Sequence, residues 1–163
     1  MGCEASTTEL DNALVDDSIS LYERLGGESA IGGVVDKFYE YMLEDEITKS
    51  FFANTDMKKQ AERQKQFLIM VTGGPNKYEG ADMKTAHEKF KIGKKEFEQT
   101  WFNLDRALKH FKVNSTEVED LRKIFYSVEG DIVKDDRPLF ERLGGEAAIG
   151  AVVDKFYEFM LAD

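Results

Sequence analysis

Apolar residues along this chain recur at helical spacing. Ile31, Val34, Val35, Phe38, Met42 and Leu43 fall at i, i+3, i+4, i+7, i+11 and i+12 after a Gly26-Gly27 break, which predicts a helix with one inward face. A second helix is predicted from near Asp56 to just before Gly73-Gly74-Pro75, with Met57, Gln60, Gln64, Phe67, Leu68 and Val71 on one side. A short one follows Asp82 and sets Met83, Ala86, His87 and Phe90 in register. A fourth carries Phe97, Trp101, Leu104, Leu108 and Phe111. The fifth is expected to start at a capping box, Thr116-Glu117-Val118-Glu119, and to run through Leu121, Ile124, Phe125 and Val128. No run alternates apolar and polar residues as a half-buried strand would. The predicted fold class is all-α.

The pattern of the first helix occurs twice. Leu21 to Asp45 reappears as Leu139 to Asp163, 118 positions later, with five of 25 positions changed. Such long-range self-similarity signals tandem units. The expected organisation is an acidic leader over residues 1–19, one domain over 20–133, a linker at 134–137, and the first helices of a second copy over 138–163. That second copy presents Ile149, Val152, Val153, Phe156, Met160 and Leu161 on one face. The face is expected to dock on the first domain or on another molecule, or else the helix frays; self-association through 138–163 is the expected consequence.

Composition narrows the classes of function. Apolar residues make up 42% and charged residues 33% of 163, enough to bury one sizeable core. The net charge of −10, with no cluster of Lys and Arg, argues against a nucleic-acid partner. Five of those charges sit in the leader as Glu4, Glu9, Asp11, Asp16 and Asp17, so the body is milder than the total suggests. No apolar run is long enough to span a membrane. One cysteine, Cys3, precludes an intramolecular disulfide.

Two features interrupt the apolar stripes. Gln60 and Gln64 lie one turn apart on the inward side of their helix, and His87 lies on the inward side of the short one. A buried amide or imidazole without a partner costs about 1 to 3 kcal/mol, so something polar is expected inside. Each feature alone also has a plainer reading: a core histidine bonded to a carbonyl, or glutamines bordering solvent. The other histidine, His110, falls on the side opposite Leu104 and is read as solvated. One inward histidine and one leader cysteine do not make a four-ligand zinc site.

Taken in order and spacing, Leu25-Gly26-Gly27, Asp36-Lys37-Phe38-Tyr39, Phe51-Phe52-Ala53-Asn54-Thr55-Asp56-Met57, Gly73-Gly74-Pro75 and Met83-Lys84-Thr85-Ala86-His87 resemble a truncated haemoglobin of the first group. The resemblance covers residues 20–133 and again 138–163. It implies a 2-on-2 helical sandwich and one haem b per chain. In that likeness His87 is the proximal iron ligand, its other ring nitrogen oriented by an unidentified acceptor. Phe52 packs on the haem face, with Phe38 and Phe67 among the pocket residues. Tyr39 is the distal donor to a bound diatomic ligand, and Gln60 and Gln64 hold that tyrosine or bond the ligand themselves. Arg63 stands where some relatives carry a sixth-ligand histidine. A guanidinium stays protonated and cannot ligate iron, so Arg63 is expected to reach a haem propionate or solvent, and the ferrous iron to keep an open sixth position.

The function this implies is reversible binding of O2 or another diatomic gas. A rival is oxidation of nitric oxide or reduction of nitrite at the same haem. Turnover would need a separate reductase, since the sequence carries no flavin or nicotinamide motif. A third reading is a haem-free helical module in which His87 takes part in phosphotransfer or merely packs. Finally, Met1-Gly2-Cys3-Glu4-Ala5-Ser6 fits an N-myristoylation signal at Gly2, with Cys3 as a palmitoyl site. The expected location is cytoplasmic, held at a membrane only if both acyl groups are present.

Overall fold

The computed structural model describes residues 18–134, 140 and 145–161. The leader with Gly2 and Cys3, and most of the expected linker, lie outside the described residues. Every regular element among the described residues is helical. The chain opens with a single turn, α1 (Leu21–Arg24), started by a reciprocal cap: Glu23 N donates to Ser20 Oγ at 3.3 Å and Ser20 N to the Glu23 carboxylate at 3.1 Å. Gly26 and Gly27 then adopt φ of 92° and 75°, a left-handed region open to glycine, and the chain turns into α2 (Gly27–Glu44).

α2 is the central element. It buries Ile31, Val34, Val35, Phe38, Tyr39 and Met42 between α3 (Met57–Val71) and α5 (Lys94–His110). Leu43, expected on the same face, is 42% exposed. It sits about 100° around the helix from Met42, which takes it off a stripe centred on Val35 and Met42. α3 starts where the pattern placed it, with the Asp56 carboxylate accepting from Lys59 N at 3.2 Å. It ends at Gly73, whose φ is 89°. The next residue must be glycine for another reason: a Cβ at Gly74 would lie 2.6 Å from the Tyr22 ring of α1.

The short helix is α4 (Met83–His87), and α5 is followed by α6 (Ser115–Ser127) and the single turn α7 (Glu129–Ile132). α5 packs on both α2 and α6, so the α2–α3 pair lies against the α5–α6 pair. Val35, Ala107 and Leu108 are at the centre of the core. Two expectations need correction here. Phe111 caps the end of α5 and is 47% exposed; its ring covers the surface of α2 at Gly33, where an added Cβ would meet it at 3.2 Å. α6 begins two residues earlier than expected, behind Asn114 rather than Thr116, so the capping box at Thr116 does not form. Glu117 and Asp120 instead receive Arg24 of α1 at 3.2 and 2.7 Å, a tertiary ion pair that the local signal did not reveal.

The repeated segment does form a helix, α8 (Gly145–Met160). Its expected contact face is not docked: Val152, Val153, Phe156, Met160 and Leu161 are all exposed, Val152 by 70%.

Candidate functional site

α4 is only five residues long, too short to be stable alone, so capping and packing must hold it. The Asp82 carboxylate accepts from Thr85 N at 2.9 Å and from Thr85 Oγ1 at 2.8 Å. α4 packs on α7, Lys134 N donates to Ile92 O at 2.9 Å, and the Lys134 ammonium bonds Glu88 O. Beyond the helix end, the Phe90 ring meets Phe51 edge-on with centroids 6.0 Å apart. These ties fix the backbone that carries His87.

His87 is half-buried, and its Nδ1 lies 2.7 Å from Met83 O. A carbonyl can only accept, so Nδ1 carries a proton, which leaves Nε2 as the nitrogen that can offer a lone pair. The acceptor that the sequence left unidentified is thus the carbonyl one turn back on the same helix. A neutral imidazole with Nδ1 engaged and Nε2 available is the form that ligates iron.

On α2, Tyr39 is 6% exposed. Gln60 Nε2 donates to Tyr39 Oη at 3.1 Å. Burial pushes the phenol up to about 12, against the opposing effect of the Gln60 hydrogen bond, so it stays protonated at physiological pH. With the oxygen accepting from Gln60, the O–H is left to donate elsewhere. Phe38 and Phe52 hold the ring from two sides, at centroid distances of 5.0 Å and 5.6 Å, the second edge-on. Gln64 is half-buried one turn along α3 from Gln60.

Phe52 comes from a 3-10 turn, Lys49–Phe52, and the residues that place this turn had no signature in the sequence. Thr48, 1% exposed, donates to Met42 O at 2.8 Å. Asp45 closes α2 and accepts from Ile47 N at 2.8 Å, from Asn103 Nδ2 at 3.1 Å, and from Gln99. Partial desolvation pushes its carboxyl up, but these hydrogen bonds prevail and hold it below the usual range. α2, the turn and α5 are locked together by that one side chain. An Asp at a helix end is common enough that only its partners reveal its role.

The other expected site residues fall in three places. Phe38 belongs to the main core. Phe67 is half-buried on α3, its ring edge-on to Tyr78 at 5.4 Å. Arg63 is exposed and lines a solvent-facing cleft of about 480 Å³ with Lys58, Lys59, Glu62 and Glu79. That cleft does not include Tyr39, Phe52 or His87. His110 is exposed, its ring against Phe111 at 5.0 Å.

A haem fits this set of residues. His87 offers Nε2, Tyr39 an uncommitted hydroxyl donor, and Phe52, Met57 and Leu68 are apolar side chains that touch the core while remaining only partly covered. A flat apolar group would complete their burial. The family model for bacterial-like globins matches residues 20–134. The chain belongs to that family. Its members bind haem and diatomic ligands, and the fold is that of a truncated 2-on-2 globin. Over 114 residues, 70% of this chain and 94% of the relative, it is 37% identical to the group 1 truncated hemoglobin of Tetrahymena pyriformis. The crystal structure of the Tetrahymena pyriformis truncated hemoglobin in its Fe(III) form matches with a TM-score of 0.69 at 36% identity, over 72% of this globin and 100% of that chain. The 2/2 hemoglobin of Synechococcus sp., in the cyanomet state with covalently attached heme, gives 0.66 at 35% identity, over 71% and 98%.

Proposed function

We propose that this globin holds one haem b per chain through His87 and binds O2 reversibly. The observation that carries this reading is the polarity of the Tyr39–Gln60 bond: the amide donates to the phenol oxygen, so the phenol hydrogen remains free to donate to a ligand. Haem, when bound, would supply a ferrous iron able to bind a diatomic gas.

His87 Nε2 would be the protein's ligand, oriented by the Nδ1 bond to Met83 O. Tyr39 would donate one hydrogen bond to the gas, which slows its release. Gln60 fixes the hydroxyl and is itself a spare donor if the ring moves, and Gln64 is placed to do the same one turn away. Phe52 and Phe67 supply apolar walls that keep water from the site. Arg63, exposed on the outer side of α3, suits a propionate or solvent.

The test is repeated oxygenation and deoxygenation of the reduced protein, followed by its absorption bands. Full recovery over several cycles supports reversible capture. Rapid consumption of nitric oxide by the oxygenated protein, sustained when a reductase is added, would favour the dioxygenase reading, and a protein that stays colourless with haem supplied would refute both. For the leader we propose acylation at Gly2 and Cys3 in a cytoplasmic protein, a reading that rests on sequence alone.

A further inference from the structure

Charge is unevenly placed along this chain. Residues 56–95 carry ten Lys and Arg against five Asp and Glu, a net charge of +5 in a chain of −10, so the remainder carries −15. No run longer than Lys58-Lys59 or Lys94-Lys95 marks the stretch in the sequence. It is the stretch that holds Gln60 and Gln64 on α3 and His87 on α4.

Its cations are also the ones left unpaired. Lys58, Lys59, Arg63, Lys77, Lys84 and Lys91 are exposed, and among the described residues none of them is in an ion pair. Outside the stretch, Arg24, Lys37, Lys49, Lys109, Arg122 and Lys123 each sit beside a carboxylate. Within it the carboxylates are largely engaged: Asp56 caps α3, Asp82 caps α4, and Glu62 meets Lys65 at 2.9 Å.

The fold gathers these cations on one face. The Tyr78 ring stands edge-on to Phe67 at 5.4 Å and its hydroxyl donates to Ala81 O at 2.8 Å, which lays residues 76–82 along α3. Lys58, Lys59 and Arg63 line the cleft between them, and Lys77 lines an adjoining cleft that shares Gln66 and Glu79 with the first. The chain then enters α4, where Lys84 precedes His87 by three positions.

The charge pattern selects the partner. A long polyanion would run past this face onto the acidic remainder and be repelled by it, whereas a compact acidic protein meets the cations alone. A haem held by His87 takes O2 as ferrous iron, and the sequence has no flavin or nicotinamide motif to return a ferric iron to that state. Electron-transfer encounters are small and transient, which suits a face with a few free cations.

We propose that the face formed by α3, residues 76–82 and α4 docks an acidic one-electron-transfer protein that reduces the haem iron. This rests on the haem reading above. The donor loses one electron, Fe(III) becomes Fe(II), and no bond or proton changes hands. Overall, two proteins of net negative charge repel each other; the local cations overcome this at one face only, and so orient the donor toward the side of the globin that carries Gln60 and His87.

The test follows, at the Soret band in stopped flow, reduction of the ferric haem-loaded chain by a reduced plant-type two-iron ferredoxin, a small acidic donor. The sign of the salt effect decides. Without a docking face the second-order rate rises as salt screens the net repulsion; with one it falls about threefold to tenfold as the Debye length shortens from about 30 to about 10 Å between about 0.01 and 0.1 M salt. Lys59→Glu and Lys84→Glu lie in the first turns of their helices, where a carboxylate is well tolerated. Each should slow the low-salt rate about threefold to tenfold, while Lys112→Glu, an exposed cation outside the stretch, should stay within about twofold of the parent. Docking is read independently of electron transfer by amide shifts of the isotope-labelled chain on adding oxidised ferredoxin, expected along α3, 76–82 and α4. Failure of the haem reading shows separately, as a parent with no Soret band; it overturns the reduction, and the shifts still decide the docking. A rate that rises with salt, a Lys84→Glu rate equal to the parent's, or shifts confined to other elements overturns the proposal. So does binding to phosphatidylserine vesicles in place of ferredoxin, which would give the face to a membrane.

Discussion

Replacing Tyr39 by Phe removes one oxygen from the interior and little else. The ring keeps its neighbours, Phe38 at 5.0 Å and Phe52 at 5.6 Å, so no cavity of consequence opens. The lost bond is the one from Gln60 Nε2, at 3.1 Å. Because Gln60 is only part-buried, its amide finds water, and the expected loss of stability is about 0.5 to 1.5 kcal/mol. The effect on a captured gas is expected to be larger if the phenol, 6% exposed, is its donor, as proposed. A buried hydrogen bond of about 1 to 3 kcal/mol corresponds to about tenfold to hundredfold faster O2 release, at roughly 1.4 kcal/mol per tenfold. Stopped-flow displacement of O2 by carbon monoxide reads this directly. In the unaltered protein the rate should be flat from neutral pH to well above 9, because burial holds the phenol at about 12. A release rate within twofold of the parent in Tyr39→Phe would refute the assignment of the donor and pass the role to the glutamines.

The same phenol should shape the alkaline limit of stability. Its folded value of about 12 lies above the usual 10, so the folded state keeps a proton that the unfolded chain loses; stability is intact below pH about 10 and falls by about 2 to 3 kcal/mol as pH rises through 12. Denaturant titrations of Tyr39→Phe should show a shallower loss there, and an identical slope in both proteins would count against burial of this hydroxyl. At the acid end, Arg24 depresses the Asp120 carboxyl, chiefly through its hydrogen bond, and the Asp45 carboxyl is held down by its own hydrogen bonds against desolvation. The stability they contribute is present above their ordinary value of 3.8 and lost as pH falls through the lower folded values. Asp45→Asn and Asp120→Asn should each flatten that acid limb, and parallel curves would show that neither carboxylate is linked to folding. For the leader, Gly2→Ala and Cys3→Ser should each move the protein from membranes to the soluble fraction in a eukaryotic host that acylates it; unchanged partition would refute the acyl signal.

The helices were legible because their inward residues repeat at helical spacing over several turns, and the site was legible because it interrupts those stripes. Gln60, Gln64 and His87 were conspicuous as polar groups on inward faces, and Tyr39 came from the resemblance rather than from its spacing. What escaped was set by tertiary pairing. Leu43 and Phe111 have the right hydrophobicity for the core, but their angular positions at the helix end leave them at its edge. Thr116 looked like a cap, yet the start of α6 answers to Asn114 and to the reach of Arg24 across to Glu117 and Asp120. The ties from Asp45 to Gln99 and Asn103, more than 50 positions away, have no local signature. Nor does the Met83 carbonyl that orients His87, since every helix offers a carbonyl four residues back and only the ring rotamer decides whether it is used.

Whether His87 carries the haem is decided by haem titration of the parent, His87→Ala and His110→Ala. Each purified apo-protein is titrated with haem under reducing conditions, desalted, and read at the Soret band against protein concentration. One retained haem per chain is expected in the parent and in His110→Ala, whose imidazole is exposed, and loss of stable retention in His87→Ala. Equal occupancy in His87→Ala and His110→Ala would contradict it.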